Sequence, residues 1–254
     1  MAPPTVDQLA KMIDHSVIDP FHTEQDLVNG IELAKDYHTG QFVTQPFRVK
    51  QARKLLEGTG INLQTFIGFP HGSDHTAIKV LQATTALEDG AQELDMVINL
   101  SALLSGDIEY VEQDIRAVVE TAKVGDVSSL LLFQFPTNNI KSYGVVVKAI
   151  VEVFFLNDEQ LTAAALAAER AGVGFIKTST GTRPDEMHNV EHSVKLLRSI
   201  LKPESVIKAS GGCYTIEAIL AYYKAGARRF GASETANILD AYSLLLDAGT
   251  TGLE

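Results

Sequence analysis

Two lysines stand where lysine is rarely found. Lys177 and Lys208 each follow an apolar pair in a strand-like run, Phe175-Ile176-Lys177 and Val206-Ile207-Lys208. Lysine is depleted from strands and almost never fully buried without a partner. On neighbouring strands the two would point into one mouth. A free lysine, pKa about 10.4, is nearly all protonated at pH 7 and is a poor nucleophile. A second ammonium about 5 Å away, at an effective dielectric of about 20, contributes roughly 3 kcal/mol of repulsion, or about 2 pKa units. Desolvation pushes the same way. The neutral amine fraction then rises about a hundredfold, which carbinolamine and Schiff-base formation require. The chemistry implied is covalent catalysis on a carbonyl compound, with Lys177 as nucleophile. For either lysine alone the alternative is a surface residue whose stem snorkels along apolar neighbours.

Asp95 lies among strand apolars in Glu93-Leu94-Asp95-Met96-Val97-Ile98-Asn99. Inside a barrel, beside two lysines, its carboxylate would be stabilised and could relay protons through a water. A structural ion pair holding Lys208 is the competing reading, and the two are compatible. Other polar residues expected at strand ends are Asp14, His15, Gln45, His71, Asn99, Glu152, Ser233 and Glu234. Gly181, Gly211-Gly212 and Gly231 each follow or close a strand, where backbone N–H groups can approach an anion. They make a phosphate site the expectation at the mouth.

The elements that must position these groups alternate. Eight strand-like runs are expected at Met12–Val17, Gln41–Thr44, Leu63–Phe69, Glu93–Ile98, Val145–Val153, Gly174–Thr178, Val206–Ala209 and Arg228–Ala232. Helical periodicity lies between them, as in Asp107–Thr121, Asp158–Ala171 with Gly172 as a C-cap, and Thr215–Ala225 with Thr215 as an N-cap. Eight such units in 254 residues predict a single α/β domain, a (β/α)8 TIM barrel spanning 1–254 with a short N-terminal helix. A doubly wound open sheet would give the same local signals. Residues 127–144 break the regular spacing and read as an insertion before the fifth strand.

A net charge of −11 argues against a nucleic-acid surface, and 45% hydrophobic with 21% charged residues fits an ordinary globular chain. Cys213 is the one cysteine, which points to a reducing, cytoplasmic home. The start Met1-Ala2-Pro3-Pro4 lacks a secretory pattern, and no apolar run is long enough for a membrane helix.

The segments Ile13-Asp14-His15, Ile67-Gly68-Phe69-Pro70-His71-Gly72, Glu93–Asn99, Phe175–Gly181, Lys208-Ala209-Ser210-Gly211-Gly212 and Phe230-Gly231-Ala232-Ser233 together resemble the deoxyribose-phosphate aldolase family. They occur in family order over nearly the whole chain. The resemblance implies a (β/α)8 class I aldolase, with Lys177 forming the imine, Lys208 lowering its pKa and Asp95 activating water. It implies reversible cleavage of 2-deoxy-D-ribose 5-phosphate to acetaldehyde and D-glyceraldehyde 3-phosphate, without metal or organic cofactor. Family analogy suggests a homodimer or a monomer. Gly181, Gly211, Gly212, Gly231, Ser233 and Glu234 fall at the substrate and phosphate positions.

Several residues depart from the family pattern. Tyr214 stands where arginine is usual, Glu234 where a second serine is usual, and Thr182 where some members have lysine. Asp19 replaces a lysine before Pro20, and Val43-Thr44-Gln45 replaces Cys-Val-Asn. A glutamate in a phosphate pocket would repel roughly 3–4 kcal/mol per unit charge. Arg183 could compensate. An unphosphorylated aldehyde acceptor is therefore a second reading, and a catalytically silent barrel retained for binding is a third.

Overall fold

The computed structural model describes residues 3–124, 144–182 and 190–253. Eight parallel strands close into a barrel in simple chain order: β1 (Ile13–Val17), β2 (Gln41–Thr44), β3 (Asn62–Ile67), β4 (Glu93–Val97), β5 (Val146–Ile150), β6 (Phe175–Lys177), β7 (Val206–Ala209) and β8 (Arg229–Ala232). Helix α1 (Val6–Ala10) precedes the barrel. Around it lie α2 (Glu24–Asp36), α3 (Val49–Leu55), α4 (Thr76–Glu88), α5 (Leu100–Leu104) and α6 (Ile108–Val124). They are followed by α7 (Asp158–Ala171), α8 (Val190–Ile200), α9 (Ile216–Ala225) and α10 (Thr235–Asp247). The closed register excludes the open sheet, and all eight expected strands are present. The expected insertion at 127–144 lies outside the described residues except for Gly144, and Arg183 lies outside them as well.

Local chemistry sets the boundaries. Asn157 caps α7 by accepting from the Gln160 amide, while the Gln160 side chain accepts from the Asn157 amide. Gly172 ends the same helix at φ 91°, a conformation costly for residues with a Cβ. The Thr215 side chain accepts from the Ala218 amide at the start of α9, as its position predicts. Strand β3 stops earlier than expected because Gly68 turns out of the extended region at φ 63°. Strand β5 stops early because Glu152 takes a left-handed backbone at φ 53°, ψ 67° before a 3-10 turn at Val153–Phe155.

Alternation then divides the side chains between two layers. Leu94 and Met96 of β4, Val147 and Ala149 of β5, Ile207 and Ala209 of β7, and Phe230 of β8 join the apolar core beneath the helices. Burying each large one contributes roughly 1.5–3 kcal/mol. Their neighbours Glu93, Asp95, Lys148, Lys208 and Arg229 take the opposite face. The helix-facing layer is thus apolar, and the charged groups gather on the inner face of the barrel, where Phe175 packs against Lys148 and Arg229.

Candidate active site

Strand register brings the expected lysines side by side: Lys177 of β6 and Lys208 of β7 are direct Cα partners. Asp95 stands across the barrel between them. Its Oδ2 accepts from Lys177 Nζ at 2.9 Å, Lys208 Nζ at 2.8 Å and Gln64 Nε2 at 2.9 Å. The set is wider than Lys177, Lys208 and Asp95. Lys148 Nζ is ion-paired with Asp95 Oδ1 at 3.0 Å and with Glu93, and it donates to Gln64 Oε1 at 2.7 Å. Lys208 also pairs with Asp14, and Arg229 bridges Asp14 at 3.0 Å and Glu93 at 3.3 Å. Lys148 carries the same sequence signal as the other lysines, a cation among the strand apolars of Val146-Val147-Lys148-Ala149-Ile150. The roles of Glu93 and Arg229 depend on cross-barrel pairing, which no single strand displays.

Four cations and three carboxylates share this buried cluster, so a neutral Lys177 balances it. Burial is the largest influence on Lys177 and pushes its ammonium down from 10.5 to about 8. Lys208 and Lys148 push the same way, while Asp95 opposes them. The sequence expectation is corrected on this point: desolvation leads, and the second ammonium assists. Lys208 itself is raised, because Asp14 and Asp95 outweigh its burial. Burial alone would raise Asp95, yet Lys148, Lys177 and Lys208 hold it well below the usual carboxylate range. With a pKa of about 8, roughly a tenth of Lys177 is neutral at pH 7, against roughly 0.03% of an ordinary lysine.

Lys177 opens onto a cavity of about 750 Å³ at the C-terminal ends of the strands. Gly181, Gly211, Gly212, Gly231 and Ser233 line it, together with Tyr214, Thr182 and Asp19. Phe66, Phe69, Val43 and Ile18 supply an apolar wall. Two expectations about the anion site are corrected. Glu234 is not in the described lining: it is exposed just before α10, and its carboxylate accepts from Asn237 Nδ2 at 2.9 Å. The Gly181 amide is already committed to Ser179 Oγ at 2.9 Å. The amides of Gly211 and Gly212, at φ 84° and 71°, donate to no acceptor among the described residues.

The remaining strand-end residues separate. Asp14 joins the charge cluster and Gln45 lines the cavity, where it donates to the Asp19 carbonyl at 2.7 Å. His15 is buried beside Thr235, and burial lowers its pKa to about 4. Asn99 caps α5 through the Ala102 amide, and His71 is exposed.

A barrel whose buried lysine, lowered toward neutral pH, faces an open cavity defines a class I aldolase, which works through an imine on that amine. A family profile described as DeoC/LacD family aldolase matches residues 8–239, and the chain belongs to that family. The deoxyribose-phosphate aldolase of Aciduliprofundum boonei is 36% identical over 240 residues, covering 94% of this chain and 98% of that protein. That of Thermococcus gammatolerans is 38% identical over 234 residues, with 91% and 95% covered. The tetrameric deoxyribose phosphate aldolase from Aeropyrum pernix superposes with a TM-score of 0.80 at 30% identity, covering 95% of this chain and 93% of that chain.

Proposed function

We propose that the chain cleaves 2-deoxy-D-ribose 5-phosphate reversibly to acetaldehyde and D-glyceraldehyde 3-phosphate through an imine on Lys177. The observation that carries this reading is the Lys177 amine, buried at the cavity with a pKa of about 8 and 2.9 Å from Asp95. The neutral amine adds to the substrate aldehyde, and loss of water leaves a protonated imine that serves as electron sink. Removal of the C3 hydroxyl proton lets the C2–C3 bond break. D-glyceraldehyde 3-phosphate leaves, and the two-carbon enamine stays on Lys177. Protonation at C2 and hydrolysis then release acetaldehyde. Asp95 relays these protons through a water, while Lys208 stays charged and keeps Asp95 anionic.

The phosphate reading is favoured over an unphosphorylated acceptor by the position of Glu234, whose charge is outside the described cavity lining. The unspent amides of Gly211 and Gly212, with Gly231 and Ser233 beside them, supply the phosphate contacts in this reading. Borohydride reduction with acetaldehyde tests the mechanism. A two-carbon adduct on Lys177, absent from Lys177→Ala, is expected, and an unmodified Lys177 in active protein refutes it. A kcat/KM for 2-deoxyribose equal to that for its 5-phosphate would refute the phosphate assignment. The homodimer is proposed on family analogy alone, and light scattering of the purified chain checks it.

A further inference from the structure

We propose that Glu152 is a positioning residue that orients the Thr180 and Thr182 hydroxyls in series, so that Thr182 is left as an acceptor toward the cavity and reads a hydroxyl group of the substrate. The inference rests on the sugar-phosphate reading above and names a specificity contact within it. Glu152 leaves β5 in a left-handed conformation, φ 53°, and its side chain is buried at 3% exposure. The end of β6 and the residue after it hold its backbone on both sides: Val151 N donates to Lys177 O at 2.9 Å and Val153 N to Thr178 O at 2.8 Å. Its Oε2 accepts from Thr180 N at 3.1 Å and Thr180 Oγ1 at 2.5 Å. Its Oε1 takes no hydrogen bond among the described residues, where Thr180 is the side chain's hydrogen-bond partner.

Proton counting sets the direction of the chain. A carboxylate only accepts, so the single Thr180 hydroxyl proton points at Glu152. The 2.9 Å contact between Thr180 Oγ1 and Thr182 Oγ1 must then use the Thr182 proton. Thr182 N also donates toward Thr180 Oγ1, at 3.4 Å. Thr182, which lines the cavity, is left with lone pairs only. It can accept from a sugar hydroxyl, and it turns no proton toward a phosphate oxygen. The Thr180 amide donates to Glu152 and those of Gly181 and Thr182 donate within the loop, so the amides following Lys177 are spent and the anion is left to Gly211 and Gly212.

The test is a double-mutant cycle read as KM for 2-deoxyribose 5-phosphate, alongside kcat and borohydride trapping with acetaldehyde. One hydrogen bond corresponds to roughly a 2–10-fold change. Thr182→Val and Glu152→Ala should each raise KM by about that factor, with kcat and trapping retained. Thr182→Val should add nothing in the Glu152→Ala background. Glu152→Gln, which keeps an acceptor for Thr180, should restore KM to within about twofold. Additive effects, or loss of kcat and trapping at unchanged KM in Glu152→Ala, would overturn the assignment. If Glu152→Ala does not fold, Thr180→Val replaces it in the cycle, because the amide bond to Glu152 survives; additivity there is equally decisive. Wild-type protein that fails to trap acetaldehyde refutes the function instead, so the two failures are distinct.

Discussion

At the scale of the residue, Lys177 is a lysine made usable by where it is held. Burial sets its pKa near 8, so the acid limb of kcat/KM should fall about tenfold per pH unit below that value and level off above it. The sign follows from the nucleophile being the deprotonated form. A pH–rate profile in the cleavage direction checks it, and a limb centred above pH 10 would show that burial does not act as described. Lys208→Leu removes one ammonium that disfavours protonation of Lys177. It also frees Asp95 to favour that protonation. Both changes raise the Lys177 pKa. The inflection should move upward by about a unit and activity at pH 7 should fall roughly tenfold, while Lys177→Ala shows no activity at any pH.

At the scale of elements, the buried pair Lys79–Asp114 ties α4 to α6. Lys79 Nζ lies 2.6 Å from Asp114 Oδ2, with both side chains fully enclosed. The same nitrogen donates to the Val97 carbonyl at 3.1 Å, at the end of the strand that carries Asp95. Lys79→Met leaves an uncompensated buried carboxylate and should cost about 3–5 kcal/mol in denaturant unfolding. The double variant Lys79→Met/Asp114→Leu should recover most of that loss; if it is as unstable as the single change, the penalty is not electrostatic. This pair also shows what one strand or helix can reveal. Lys79 reads as an ordinary polar position in Thr76–Glu88, because its partner is 35 residues away on another helix. Lys177 and Lys208 were legible, since a lysine inside a β-branched run violates local preference. Lys148 carried that same violation, but its meaning waited on the pairing of β4 with β5. Glu234 looked like part of the mouth by its place after β8, whereas the turn into α10 carries its side chain outward. Strand existence was readable from alternation. Strand ends were not, because they depend on single backbone conformations at Gly68 and Glu152.

At the scale of the molecule, the barrel interior holds a charge cluster among a few apolar side chains, such as Phe175 against Lys148 and Arg229, while the other strand faces pack beneath the helices. That cluster is stable when its signs balance. With Lys177 protonated, four cations meet three carboxylates, and its pKa is lowered chiefly by burial, with Lys208 and Lys148 adding to the effect. A lysine whose folded pKa is about 8 against 10.5 unfolded penalises the fold while protonated, by about 3 kcal/mol. The penalty is full below about pH 8 and fades between about 8 and 10.5, where the unfolded chain binds a proton that the native chain does not. Asp14 and Asp95 have the opposite sign. Their folded pKa values are lowered, so they stabilise above about 4, and this stability is lost as pH falls through their folded values. Lys177→Met should therefore unfold at higher temperature than wild type at pH 6–7, by several degrees for a chain of this size, and the gain should shrink at pH 9–10. Lys208→Met should lose stability at pH 7, because it strips the partner from Asp14 and Asp95. Calorimetry of the three proteins across this range decides the matter. A Lys177→Met gain that does not diminish at high pH would place its origin in packing and remove the account of the nucleophile as a buried ammonium held at a cost.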